Sequence, residues 1–356
     1  MKIEQIDKNF QAAKVGNLDV CYYDALKAPF ELEGFPWRDP MLIFNRLPAS
    51  FTEKDVNAGA LGLAKHTTGG AVRFRTDSPY LTLRAVLAYS CDMNHMPRAG
   101  SAGFDFYSGS GKDIQYRKTV QPGNGQKNLE TLLVGDQAKQ MTDWTLYLPL
   151  YGAASKIEIG VAPGAELEKP APHTVSKPVL FYGSSITQGG CASRPGNAYS
   201  TMLCRAVDAP QVNLGFSGSG RGEPAVAKAI AGLDLAVFVM DYDHNAPSLE
   251  HLKNTHEQFF KIIRGKNPAL PVIIMSRCDF WGSKEEQDRR DVIRQTYANA
   301  VGDGDKKVWF IDGETLFGMK DRDACTVDRC HPNDLGFYRM FRTILPTLVK
   351  ALQASK

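Results

Sequence analysis

The pattern of hydrophobic and polar positions changes once along this chain, near its middle. Before residue 162, apolar and polar residues alternate in short runs separated by turn sequences such as Asp77-Ser78-Pro79. Alternation with period two is typical of half-buried β-strands. Five runs are predicted as strands, at 71–76, 80–87, 103–107, 144–148 and 156–161. Several short strands with turns between them predict an antiparallel β-sandwich.

After residue 178 the period switches to that of an α/β domain. Continuous apolar runs at 179–182, 212–216, 235–240, 272–275 and 308–311 alternate with helical stretches at 198–207, 223–231, 249–264, 285–300 and 335–352. Apolar strands separated by helices predict a parallel sheet that helices cover on both faces. Such sheets bind ligands at the carboxyl ends of their strands. Because Ser185, Gly218 and Asn245 each follow a strand end, we expect them at one edge.

The segment 162–178 differs from both halves. It holds four prolines in 17 residues and few apolar neighbours, which predicts a linker stiffened by proline. The chain is therefore predicted to comprise a β-sandwich accessory domain over 1–161, a Pro-rich linker over 162–178 and an α/β domain over 179–356.

The charge totals exclude two classes of partner. Lysines and arginines number 42 against 39 aspartates and glutamates, which gives a formal net charge of +3, and no cluster of lysines and arginines runs along the chain. A nucleic-acid or anionic-membrane surface is therefore not indicated. No apolar run approaches the roughly 20 residues that a membrane span needs, so no membrane partner is expected.

The N-terminus and the cysteines bear on the compartment. Residues 1–8 contain no apolar h-region, which predicts a cytoplasmic location, or a periplasmic or secreted one if a leader has been removed. Seven scattered cysteines disfavour a disulfide framework. Cys325 and Cys330 could bridge in an oxidising compartment, although two reduced side chains fit the cytoplasmic interpretation better.

Two short sequences supply the parts of a serine hydrolase. Ser185 lies in the Gly-rich turn 183–189 after an apolar strand, where a hydroxyl is exposed at the sheet edge. Asp328 and His331 are three residues apart, so the carboxylate can hold one imidazole nitrogen while the other takes a proton from a serine. Each part alone has an ordinary interpretation, as a helix N-cap or as turn residues. Their combination at strand ends favours the hydrolase.

Residues 179–350 resemble the SGNH hydrolases, also called GDSL-like esterases and lipases. Four blocks match in the family's order: Gly183-Ser184-Ser185-Ile186, Asn213-Leu214-Gly215-Phe216-Ser217-Gly218, Asp241-Tyr242-Asp243-His244-Asn245 and Asp328-Arg329-Cys330-His331-Pro332. The resemblance implies a flavodoxin-like catalytic domain over 179–356. It is greatest to two-domain members with a β-sandwich ahead of that domain.

The resemblance also implies a role for each matching residue. Ser185 would be the nucleophile, His331 its base and Asp328 the carboxylate that orients the base. The backbone N–H groups of Ser185 and Gly218 and the side-chain amide of Asn245 would form an oxyanion hole. The chain departs from the family pattern at position 184, where serine replaces the usual aspartate, and in the third block, which lacks a glycine and a trailing aspartate.

Three other site interpretations fit less well. The glycines after strand 212–216 lack the third glycine of a dinucleotide fingerprint, because position 223 is Glu223. An α/β-hydrolase elbow needs glycine where the chain has Thr187. Asp241, Asp243 and His244 have no recognised metal-ligand spacing, so neither a metal nor a cofactor is predicted.

Three loops are candidates for contact with a substrate. Arg277 and Trp281 follow the fourth strand of the second half and suit a pocket wall for a sugar or a polar ester, although a surface loop fits equally well. Arg194, which follows the nucleophile turn, is expected at the same mouth. In the first half, His95 and Met96 interrupt the strand pattern, and their loop is expected either to reach over the cleft or to be an ordinary sandwich loop.

The resulting expectation is a two-domain serine esterase that works through an acyl-enzyme. The family resemblance implies removal of small acyl groups, in particular O-acetyl from carbohydrate, so the expected partner is a small-molecule or carbohydrate ester. One alternative is a lipid or acyl-thioester hydrolase on the same fold. Another is a carbohydrate-binding protein with an inactive site. The oligomeric state is left open.

Overall fold

The computed structural model describes residues 11–355, and the first part of this range forms two antiparallel sheets. The strands are β1 (Gln11–Val15), β2 (Leu18–Asp24), β3 (Glu31–Glu33), β4 (Ala71–Thr76), β5 (Leu81–Tyr89), β6 (Phe104–Ser108), β7 (Gln115–Val120), β8 (Asn128–Val134), β9 (Thr142–Tyr147), β10 (Ala153–Val161) and β11 (Leu167–Glu168). One sheet has the order β1-β2-β10-β5-β8. The other has the order β11-β4-β9-β6-β7, and β3 also pairs with β4. Residues 1–8, which led to the expectation of a cytoplasmic location, lie outside the described range.

The two sheets pack their apolar faces together, which confirms the predicted sandwich. Phe74, Phe106 and Trp144 of one sheet share a buried cluster with Leu83 and Ile159 of the other. Several strands have no alternating pattern and were not predicted. In β7, for example, the first three residues are exposed and only the last is buried, because it is an edge strand.

The segment predicted as a linker is tied to both halves of the molecule. Strand β11, which lies inside this segment, pairs with β4 of the sandwich. His173 lies between Glu33 and Asp208, with its Nε2 3.0 Å from Glu33 Oε1 and its Nδ1 2.7 Å from Asp208 Oδ1. Burial disfavours the charged imidazole, but the two carboxylates outweigh it and raise the pKa of His173. The segment therefore fastens the sandwich to the second half.

The second half is a five-stranded parallel sheet with helices on both faces. Its strands are β12 (Val179–Gly183), β13 (Gln211–Gly215), β14 (Val237–Asp241), β15 (Val272–Met275) and β16 (Val308–Ile311), and its helices are α3 (Ser185–Gln188), α4 (Tyr199–Val207), α5 (Pro224–Ala231), α6 (Leu249–Lys266), α7 (Lys284–Gly302) and α8 (Asp334–Ala354). Two short helices, α1 (Ala58–Leu63) and α2 (Arg98–Ser101), lie within the first half. The strand order β13-β12-β14-β15-β16 is the flavodoxin-like order, so the predicted α/β fold is confirmed.

Buried polar groups join the two domains. Asp105 of the sandwich is fully buried and accepts hydrogen bonds from Arg194 Nη1 and Gly196 N, both at 2.7 Å. Arg194, which was expected at the mouth of the cleft, is therefore drawn into the domain interface, because a buried carboxylate needs a cationic partner.

A second buried group of this kind is the guanidinium of Arg46. It donates to the backbone oxygens of His66 and Leu63 in the first domain, at 2.8 and 2.7 Å, and of Asn213 and Gly215 at the end of β13, at 2.9 and 2.8 Å. Burial lowers the pKa of Arg46 to about 9, which leaves the side chain charged at neutral pH. The end of β13 is thus held by the sandwich domain.

Between residues 11 and 355, no helix has the length and the hydropathy that a bilayer crossing requires. All seven cysteines are free, including Cys325 and Cys330.

Candidate active site

Ser185 is the first residue of α3 and directly follows the nucleophile strand β12. The helix cap is its neighbour Ser184, whose Oγ accepts from Ile186 N at 3.1 Å, so the hydroxyl of Ser185 is not used as a cap. At Gly215 of β13, a Cβ would lie 2.2 Å from the backbone nitrogen of Gln188. Glycine at 215 therefore lets the nucleophile helix pack directly on the neighbouring strand.

Ser185, His331 and Asp328 form one hydrogen-bonded chain. Ser185 Oγ lies 2.9 Å from His331 Nε2, and His331 Nδ1 lies 2.7 Å from Asp328 Oδ2. Burial opposes the charge of Asp328, but donation from the backbone N–H and the ring of His331 lowers the pKa of the carboxyl below its ordinary value. The carboxylate fixes the proton on Nδ1, so Nε2 is free to accept the serine proton.

A closed loop positions Asp328 and His331 ahead of α8. Thr326 and Pro332 form an antiparallel bridge, and Val327 N donates to His331 O at 3.0 Å. Asn333 then caps α8 by accepting from Gly336 N. This short bridged loop holds the side chains of Asp328 and His331 within hydrogen-bonding distance, as their spacing of three residues predicted.

The backbone N–H groups of Ser185 and Gly218, both assigned to an oxyanion hole by the resemblance, have no protein acceptor in the described range. Gly218 is exposed and has a φ of +67°, a backbone conformation that favours glycine, and the space where a Cβ would lie is open. The backbone conformation at 218 thus favours glycine, and no neighbouring atom occupies the space where a Cβ would lie.

Asn245 lies in a loop that buried ion pairs hold in place. Asp243 accepts from Arg289 Nε at 2.8 Å, and Arg289 Nη2 also donates to the backbone oxygens of Asp243 and Ala246. The side-chain oxygen of Asn245 is buried and has no partner among the described residues, whereas its amide nitrogen is not among the buried atoms. The amide nitrogen is therefore the end of this side chain that a ligand could reach.

Arg277 and Trp281 lie on the same side of the sheet but have different surroundings. Arg277 donates to both oxygens of Asp279, at 2.8 and 2.6 Å, so its charge is compensated. Trp281 Nε1 donates to the backbone oxygen of Arg329 at 2.8 Å, between the two triad positions Asp328 and His331. The guanidinium of Arg329 lies 5.1 Å from the indole ring. Trp281 thus borders the candidate site, while Arg277 is engaged in an internal ion pair.

The 90–98 loop of the sandwich reaches the candidate site. The ring of His95 is exposed and lies 5.9 Å from that of His331. Met96, which was also predicted to contact substrate, is only 4% exposed and packs with Ile186 and Cys191. Its apolar thioether anchors the loop in the interface and leaves the exposed imidazole of His95 at the rim.

Two groups of side chains have metal-ligand geometry. The first is His95, Asp328 and His331, and the second is His244, Cys278 and Asp279, with ligand atoms within 4.8 Å of one another in each group. Both groups are already engaged: His331 binds Ser185 and Asp328. In the second group, Asp279 binds His244 at 2.7 Å and also the guanidinium of Arg277, which competes with a cation for that carboxylate.

Sequence reasoning did not identify the buried polar residues that surround the nucleophile turn. Gln188, His66 and Tyr151 are buried around Ser185, and Tyr151 OH lies 3.4 Å from Ser185 O. Only Gln188 lies near a motif in the sequence. The others come from strands and loops of the first domain, and no spacing rule connects them with the site.

Comparisons with known proteins agree with this geometry. Residues 176–349 match the GDSL-like lipase/acylhydrolase family, and residues 20–167 match the N-terminal domain of SGNH-hydrolase-type esterases. That domain is named GxDLY, and Gly103, Asp105 and Tyr107 agree with the letters of its name. Comparison with curated proteins gives no match.

Several solved structures share the fold over most of their length. A GDSL-like lipase from Bacteroides ovatus is 28% identical, covers 94% of this chain and 98% of its own, and has a TM-score of 0.83. A salicylyl acyltransferase from a tetracycline biosynthetic pathway is 20% identical, with coverage of 94% and 99% and a TM-score of 0.77. A family two carbohydrate esterase from Clostridium thermocellum, in complex with cellohexaose, is 14% identical, with coverage of 81% and 94% and a TM-score of 0.58. The two matched domains, in this order and around this site, show that the chain belongs to the GDSL-like, or SGNH, hydrolase family in its two-domain form, and is a carboxylic ester hydrolase.

Proposed function

We propose that this esterase removes small acyl groups, in particular O-acetyl groups, from carbohydrate through an acyl-enzyme on Ser185. The observation that carries the proposal is the hydrogen-bonded chain from Ser185 Oγ through His331 to Asp328. This is the arrangement that activates a serine hydroxyl.

In the proposed reaction, His331 Nε2 accepts the proton of Ser185 as Oγ attacks the ester carbonyl. The negative charge that develops on the carbonyl oxygen is stabilised by the N–H groups of Ser185 and Gly218 and by the amide of Asn245. His331 then donates the proton to the leaving alcohol, and water releases the acyl group by the same steps in reverse. Asp328 stabilises the imidazolium throughout.

Two features support a carbohydrate as the alcohol part of the substrate. The rim next to His331 consists of an imidazole, an indole and a guanidinium, from His95, Trp281 and Arg329. Planar aromatic and cationic groups suit the faces and hydroxyls of a sugar. The carbohydrate esterase bound to cellohexaose has the same fold, which is consistent with this substrate class.

The choice of acyl group is tested with p-nitrophenyl acetate and p-nitrophenyl octanoate. We expect kcat/KM to be about tenfold or more higher for acetate, because a site that accepts only small acyl groups, as proposed, discriminates against added methylenes by roughly that factor. Acetate release from acetylated sugars, assayed in parallel, identifies the natural alcohol. A higher rate on octanoate would favour a lipid or acyl-thioester hydrolase. Failure of a fluorophosphonate to label Ser185 in folded protein would favour a carbohydrate-binding protein.

The contribution of the sandwich domain to the substrate site is tested with His95→Ala. We expect KM for an acetylated sugar to rise about 3–10-fold, with little change in kcat, because His95 borders the site without bonding to Ser185 or Asp328. The exposed neighbour Asn94→Ala serves as the matched control and is expected to behave as wild type. Unchanged KM values in both variants would remove His95 from the substrate site.

A further inference from the structure

The loop that carries Gly218 is held in place on both sides by side chains. Before it, Ser217 N donates to Gln188 Oε1 at 3.0 Å. After it, Ser219 O accepts from Asn57 Nδ2 at 2.8 Å. The N–H of Gly218 between these two anchors donates to nothing within the described range. The direction of the Gly218 N–H is therefore set by the hydrogen bonds of Ser217 and Ser219.

Gln188 is the anchor that lies on the same short helix as Ser185. It is the last residue of α3, the four-residue helix that Ser185 begins, and its side chain is fully buried. Its Oε1 accepts from Ser217, while its Nε2 lies 3.2 Å from both Leu150 O and His66 Nδ1. The amide thus uses its acceptor and both its donors, which fixes its orientation.

His66 completes this network from the first domain. Since the Gln188 amide donates to Nδ1, the His66 ring is neutral and carries its proton on Nε2. Burial, together with the nearby charge of Arg46, lowers the pKa of His66 to about 4, which keeps the ring in this state at neutral pH. The ring also stacks on Tyr89 with centroids 5.4 Å apart. The next-but-one residue, Thr68, donates to Gln188 O at 2.7 Å.

We propose that Gln188 and His66 are positioning residues for the oxyanion hole, with the sandwich domain supplying one end of the network. Through Ser217, the Gln188 amide fixes the Gly218 N–H relative to the Ser185 N–H, and His66 fixes the Gln188 amide. This inference rests on the proposed function, since it assigns these residues to the stabilisation of the same tetrahedral intermediate. A shift of about 1 Å at such a donor costs up to about 100-fold in rate.

The test compares Gln188→Met, His66→Phe and His66→Asn with wild type on p-nitrophenyl acetate. We expect kcat to fall about 10–100-fold in Gln188→Met and His66→Phe while KM changes less than about threefold, because the loss is confined to the transition state. His66→Asn keeps an acceptor near the position of Nδ1 for the Gln188 amide and is expected to recover much of kcat. The inhibition constant of phenylboronic acid, which forms a tetrahedral adduct with the serine, should rise in step with the loss of kcat.

The matched control is His256→Phe. His256 is another buried histidine whose pKa burial lowers to about 4, but it bonds to Thr296 on α7 and to neither Gln188 nor Ser217. We expect this variant to lose stability and to keep kcat per folded molecule. The inference is overturned if Gln188→Met and His66→Phe behave like His256→Phe, or if His66→Asn is no better than His66→Phe. A wild-type protein without esterase activity would overturn the proposed function and this inference together.

Discussion

Ser185→Ala is expected to lower kcat/KM by about four to six orders of magnitude, because the substitution removes the only atom that could form the acyl-enzyme. The residual rate would come from the oxyanion donors and from substrate binding. The melting temperature should change by only a few degrees, since the lost hydroxyl makes one hydrogen bond, worth about 1 kcal/mol. Acetate release and differential scanning fluorimetry measure the two quantities.

A buried serine outside the site provides the control for this variant. The hydroxyl of Ser78 donates to Tyr80 O and accepts from Ala162 N within the sandwich domain. Ser78→Ala should lose a similar amount of stability and keep full activity. Appreciable turnover by purified Ser185→Ala would contradict the assignment of the nucleophile, and so would equal losses of activity in both variants.

Arg46→Met is expected to destabilise the protein by about 3–5 kcal/mol and to lower the melting temperature by roughly 5–15 °C. The methionine would fill most of the space but would leave four backbone oxygens without their donor. Each unpaired buried acceptor costs about 1–3 kcal/mol. Water that partly enters the site would hydrate some of the four oxygens and reduce the total loss of stability. Since two of these oxygens belong to Asn213 and Gly215, activity should also fall.

Urea and thermal unfolding of Arg46→Met are best measured together with two control variants. Arg38→Met removes an exposed arginine eight residues earlier and should change stability by less than about 0.5 kcal/mol. Arg46→Lys keeps the charge but has only three donors, so its stability should lie between that of Arg46→Met and wild type. If Arg46→Met melts within two or so degrees of wild type, the buried guanidinium contributes little and the argument from unpaired carbonyls is wrong.

The parts of the fold that the sequence could predict are those governed by periodicity. The strands β12 to β16 and the helices α4 to α8 follow directly from the apolar pattern, so their bounds were predicted to within about two residues, whereas the four-residue helix α3 was predicted only as a turn. The edge strand β7 was not predicted, because its first residues face solvent and carry no alternating pattern. The segment 162–178 was predicted as a linker from its prolines, although it contains β11 and the bridging His173.

In the candidate site, too, some residues could be predicted from local sequence and others could not. Ser185, Asp328 and His331 could be placed together because each lies in a recognisable local sequence beside a strand end or a helix start. Arg46, His66 and Asp105 could not, since their contacts arise only when two domains pack and lie far apart along the chain. Buried polar pairs of this kind have no period and no fixed spacing, so a single sequence contains no signal for them.

The four carbonyls gathered around the Arg46 guanidinium also limit how this protein could be re-engineered. In an isolated C-terminal half, the backbone oxygens of Asn213 and Gly215 at the end of β13 would lack the donor that Arg46 of the first half provides. If an unrelated module replaced the sandwich, we expect the end of β13 to shift. The new module would have to place a guanidinium at the position of Arg46 to prevent this. The two halves are therefore one structural unit rather than interchangeable parts.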